Sequence, residues 1–206
     1  MARRTYLFDP PERFIAGTVG EPGHRAFFLQ ARDGARIVSV SLEKVQVAAM
    51  ADRLGRLLIE LDERGIAELE LGQPVEDVAP LDEPLLEAFR AGTLTLGWDG
   101  DLERVIIEAR AMTDEDELTD DDDDESVDDE SVDDESVAAA IAALMTNDNP
   151  DGPDVLRIHL SAVAARAFVE RALHVVRAGR PPCPLCGNPL DPQGHICPRR
   201  NGRYVN

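Results

Sequence analysis

Arg13–Val19 (RFIAGTV), His24–Arg32 (HRAFFLQAR) and Ala35–Leu42 (ARIVSVSL) are short apolar-rich runs, the last alternating apolar with polar positions. A two-residue period is the signature of a strand with one buried face. Gly20-Glu21-Pro22-Gly23 and Asp33-Gly34 separate the runs, and Asp-Gly is a strong hairpin signal because both positions tolerate positive φ. The three runs predict an antiparallel meander, with Thr5–Phe8 adding an edge strand ahead of Pro10-Pro11. From Glu43 the period changes. Val47, Met50, Leu54, Leu57, Leu58 and Leu61 fall on one helical face, predicting a helix to about Glu63 with Gly65 as its stop. Asp82, with Pro84 in the first turn, predicts a short helix ending near Arg90. The strand pattern returns in Thr93–Trp98, turns at Asp99-Gly100, and continues in Arg104–Arg110 and Val155–Leu160; Ser161 then caps a second long helix reaching about Arg177. The expected class is α+β: an antiparallel sheet with helices on one face.

The second half thus repeats the order of the first. SLEKVQVAAMADRLGRLL (Ser41–Leu58) set over HLSAVAARAFVERALHVV (His159–Val176) matches Leu42 to Leu160, Val45 to Val163, Ala49 to Ala167 and Arg53 to Arg171. This suggests a duplicated unit of three strands and one helix. Any amphipathic helix that follows a strand matches partly, so convergence remains the competing account.

Composition changes this picture in one place. The 206 residues carry a net charge of −20, but 16 of the 41 acids lie between Thr113 and Val137, without which the remainder is −4. That segment contains DDESV three times in tandem. It cannot bury enough apolar surface to offset its ordering entropy, so residues 113–150 are expected to be a disordered insertion within an α+β domain spanning 1–178. It has oxygens in excess but neither the glycine nor the spacing of a calcium loop. No apolar run follows the basic start, and Ala162–Ala178 is broken by charges, so neither a signal peptide nor a membrane span is expected. The expected location is the cytoplasm.

All three cysteines lie in CPLCGNPLDPQGHICPRRNG (Cys183–Gly202), with one of the four histidines. Cys183 and Cys186 have the spacing of a zinc knuckle. His195 and Cys197 are two apart, and in an extended segment such residues share a face. Three thiolates and one imidazole are a common structural zinc set. The tail, residues 179–206, is therefore expected to fold around zinc held by Cys183, Cys186, His195 and Cys197. A redox pair at Cys183 and Cys186 would more typically sit in a βαβ setting, which is missing here. Exchange of His195 for His174 or Asp191 stays open.

YLFDPPERFIAGTVGEPGHRAFFLQA near the start and CPLCGNPLDPQGHICPRRNG near the end resemble an actinobacterial family, domain of unknown function family 3090. The resemblance spans the chain outside the acidic segment. It implies genes in a trio with a phosphoglycerate-mutase-like protein and a phosphoinositide-kinase-like protein, hence candidate protein partners, and it assigns no catalytic residues.

Three function classes follow. The first is a non-catalytic zinc-binding adaptor. The second is nucleic-acid binding through the tail, where Arg166, Arg171, Arg177, Arg180, Arg199, Arg200 and Arg203 face only Glu170 and Asp191; aromatic residues for base stacking are scarce there. The third is an enzyme with a site near Gly17–Gly23, where Asp9, Glu12, Arg13, His24 and Arg25 are the available polar groups. That turn lacks the lysine of a phosphate loop and sits between strands, and no nucleophile stands beside a base.

Overall fold

A computed structural model describes residues 3–67, 77–113, 149–179, 183–186, 195–197, 199 and 203–205. Residues 114–148 of the predicted insertion lie outside these residues. The elements are β1 (Thr5–Phe8), β2 (Arg13–Val19), β3 (Ala26–Asp33), β4 (Arg36–Leu42), α1 (Lys44–Glu63), β5 (Glu87–Asp99), β6 (Arg104–Ala111), β7 (Val155–Leu160), α2 (Ala162–Arg177), β8 (His195–Cys197) and β9 (Arg203–Val205).

The strand periodicity predicted from sequence is realised in β2–β3–β4 and again in β5–β6–β7, two antiparallel meanders, each followed by a helix. They join in one seven-stranded sheet of order β1-β7-β6-β5-β4-β3-β2. The sheet is mixed, which corrects the antiparallel expectation: β4 and β5 are parallel, and so are β7 and β1. A parallel neighbour requires a crossover, and α1 supplies it between β4 and β5.

The short helix expected over Asp82–Arg90 is not formed. Residues 81–86 are irregular and β5 begins at Glu87. Pairing of Glu87, Phe89 and Arg90 with β4 satisfies their backbone across strands, and tertiary pairing overrides a weak local helix signal. The β3–β4 loop is Gly34-Ala35, one step later than the Asp-Gly pair, with Gly34 at φ 55°.

The sheet curls. Laid flat, its edge strands would stand about 29 Å apart at normal strand spacing. Phe8 of β1 and Arg13 of β2 are joined by only four residues, whose reach is about 17 Å. Tyr6 of β1 also lies 6.3 Å, centroid to centroid, from Phe89 of β5, although β7 and β6 come between their strands in the sheet. The curl closes towards the helix-bearing face. On that face Phe14, Leu29, Val40, Ile107, Ile158 and the buried sides of both helices form one core. Helix α1 buries Val47, Met50, Ala51, Leu54, Leu58 and Leu61; α2 buries Ala165, Phe168 and Ala172. Small residues let the helices approach, and a Cβ added at Gly55 would sit 3.8 Å from Val169. Ser161 caps α2 as expected, its Oγ accepting from the Ala164 amide at 3.2 Å.

Both open edges carry an arginine. Arg36 donates to the Leu7 carbonyl at 2.9 Å and stacks over Phe8, and Arg171 donates to the Ala16 carbonyl at 2.8 Å. Occupied edge carbonyls discourage pairing with another chain.

Candidate functional site

Two regions carry chemistry: the cysteine tail and the sheet face turned away from the helices. In the tail, Cys183 is buried at 2% exposure and Cys186 half-buried, at either side of a turn. β8 and β9 pair antiparallel, with His195 opposite Val205 and Cys197 opposite Arg203. Positions 195 and 197 are thus alternate residues of one strand, and a turn precedes the hairpin. The connecting residues 187–194, Asp191 among them, lie outside the described residues. Among the described residues no group of three or more His, Cys, Asp or Glu converges. His174, the alternative ligand, sits in the last turn of α2. The donor set of three thiols and an imidazole fits zinc chemically.

The outer face of the sheet holds polar groups that the sequence reading did not single out. Gln30 and Ser39 are paired positions of β3 and β4, at 1% and 0% exposure. The Gln30 amide donates to Ser39 Oγ at 3.0 Å and to the Asp82 carbonyl at 3.0 Å, while its Oε1 accepts from the Asp82 N–H at 2.7 Å. It therefore grips a passing backbone, residues 77–82, which straps the outer face. Gly17 permits the strap: a Cβ there would meet Leu81 at 2.6 Å.

At the edge the strap is pinned by charge. Arg13 donates to both oxygens of Asp77, at 2.6 and 2.9 Å, and to Asp82 at 2.9 Å. Arg171 reaches Asp77 from α2 at 3.1 Å, and Arg32 approaches Asp82 at 3.3 Å. The Asp77 carboxyl is held below the usual carboxylate range, chiefly by the hydrogen bond from Arg13. The same bond raises Arg13, whereas burial lowers Arg171. Because the folded value for Asp77 lies below its unfolded value, its stabilisation is complete above the ordinary carboxylate pKa. It is lost as pH falls through the folded value. Asp77→Asn is therefore expected to lower the urea midpoint at neutral pH and to flatten its decline below about pH 4. Parallel pH profiles of wild type and variant would dismiss the pairing as a contributor.

The same positions of the second meander hold a different cluster. Glu108 is fully buried, and its two oxygens accept from Arg110 Nε at 2.7 Å and Arg157 Nε at 2.8 Å. Glu108 pairs with Arg157 across β6–β7 as Gln30 pairs with Ser39 across β3–β4. The signal was present in the sequence: Leu29-Gln30-Ala31-Arg32 and Ile107-Glu108-Ala109-Arg110 occupy these equivalent stretches.

The groups around Gly17–Gly23 do not converge. Gly20 and Gly23 take positive φ in a turn. Asp9 lies 3.3 Å from His159, Glu12 holds Arg32 at 3.0 Å, Arg13 holds the strap, and His24 is exposed. No helix among the described residues is long and apolar enough to cross a membrane.

Among the described residues these features define a mixed α+β protein: a curled seven-stranded sheet, two helices packed on one face, and a cysteine-bearing tail. The chain belongs to the family described as Protein of unknown function (DUF3090), whose model matches residues 6–197. No curated protein and no solved structure matches it.

Proposed function

We propose that the chain is a non-catalytic binding module whose tail, residues 179–206, folds around one structural zinc held by Cys183, Cys186, His195 and Cys197. The observation carrying this reading is the order of turn and hairpin: Cys183 and Cys186 flank a turn, and β8 follows with His195 and Cys197 at alternate positions. Four protein ligands fill a tetrahedron and leave no place for a reactive water, so the role is structural. In so short a tail the free energy of metal binding is folding free energy.

Residues 1–178 serve as the α+β platform. Its two meander-plus-helix halves have the same strand order, and positions 30 and 108, 39 and 157, and 42 and 160 correspond in register. These correspondences support descent from a duplicated three-strand-plus-helix unit. Half-on-half alignment of other family members, showing no shared pattern at these positions, would sink that idea. The partner we favour is a protein, with the phosphoglycerate-mutase-like and phosphoinositide-kinase-like products as first candidates, in the cytoplasm.

Protein purified reduced and without chelator is expected to contain one zinc per chain by elemental analysis. Cys183→Ser/Cys186→Ser should lose it while the sheet still melts cooperatively. Metal-free wild type prepared in this way would overturn the assignment.

A further inference from the structure

The two seams where parallel strands meet are equivalent by register and filled differently. Across β4–β5, Ser41 stands beside Arg90. Across β7–β1, the ladder that pairs Phe8 with Ile158 leads next to Asp9 and His159. Here the imidazole fills the seam, with Nδ1 3.3 Å from the Asp9 carboxylate and the side chain 12% exposed. At the first seam a serine stands in the place of that histidine. A cavity of about 340 Å³ opens there, lined by Arg25, Phe28, Ser41, Lys44, Glu87 and Arg90 among others. This size falls within the range of about 300–1,000 Å³ typical of small-molecule sites.

Of the charged residues lining the cavity, Arg25, Lys44 and Arg90 outnumber Glu43 and Glu87. Arg25 and Lys44 each lie two residues beyond Phe27–Leu42, the last pair of the β3–β4 ladder, so the fold brings two cations to one strand end. Arg90 is already engaged, donating to Glu43 at 2.6 Å. An anion in the cavity is attracted by both cations.

We propose that this cavity binds a small molecule bearing a phosphate or carboxylate group, with Arg25 and Lys44 on its charge, the Ser41 hydroxyl donating to it and Phe28 beneath its body. No cysteine lines the cavity, so the site should survive mutation of the cysteines.

The test is the melting temperature of the full chain titrated with inorganic phosphate and, separately, with succinate, against sodium chloride at matched ionic strength. A saturable rise with at least one anion is expected. Arg25→Ala/Lys44→Ala, two substitutions at solvent-accessible positions, should weaken it by about tenfold or more. Ser41→His keeps both cations, installs the residue of the filled seam and should abolish the rise. A response to phosphate alone assigns phosphomonoesters, and a response to succinate alone assigns carboxylates. No rise beyond the chloride control, or a rise retained in the double variant, overturns the proposal.

Discussion

Glu108→Gln is expected to destabilise the protein by about 3–5 kcal/mol, the range for breaking a buried charged cluster by removing one partner. The carboxylate is fully buried, and each oxygen accepts from a different guanidinium. An amide offers one oxygen and one NH2 group. The oxygen can accept from one arginine, but the NH2 then faces a second donor, and both guanidiniums lose the carboxylate charge they share. Gln is nearly the same size, so the loss reports charge and hydrogen bonding rather than volume. Urea unfolding at neutral pH, with an unchanged m value, is the measurement. A loss below about 1 kcal/mol would mean that the arginines do not need Glu108 and that the cluster behaves as an exposed pair does. Gln30→Ala, at the matching position of the first meander, removes a neutral side chain and should cost less.

Phe168→Ala is expected to cost about 3–5 kcal/mol, the usual figure for emptying a fully packed aromatic site. Phe168 is 2% exposed and stacks on Phe14 at 4.6 Å between ring centroids with 17° between planes. It joins α2 to the edge strand β2, far from β7 in the sheet order and close only because the sheet curls. The substitution removes a contact on which the closed shape depends, so m should fall along with the midpoint if the curl loosens. A loss under about 1.5 kcal/mol would show that the site collapses around the deletion and that the ring is not a fastening point. Met50 holds the matching position in α1, also 2% exposed. Met50→Ala should cost about 2–5 kcal/mol.

Much of the fold was legible because it depends on local pattern. The alternation in Arg36–Leu42 became β4, and the helical spacing from Val47 to Leu61 became the buried side of α1. Ser161 became a cap. In the tail, the extended segment expected at 195–197 is β8, and its pairing with β9 was not foreseen. The contacts of the outer face were not legible. Asp77 is 64 residues from Arg13 and 94 from Arg171, and nothing in their neighbourhoods indicates that they meet. Glu108 sits in an alternating strand where a carboxylate reads as solvated until its two arginines are placed beside it.

The sequence by itself determined most of the strands, both long helices, the acidic segment and the cluster of thiols at the end, because periodicity, capping and composition act over a few residues. Tertiary structure alone decided that 87–90 pair as strand rather than wind as helix, that the two meanders join through the parallel β4–β5 seam, and that Ser41 lines a cavity while His159 meets Asp9. Those outcomes depend on hydrogen bonds and excluded volume between segments distant in the chain. Their partners exist only once the sheet has curled on its helices.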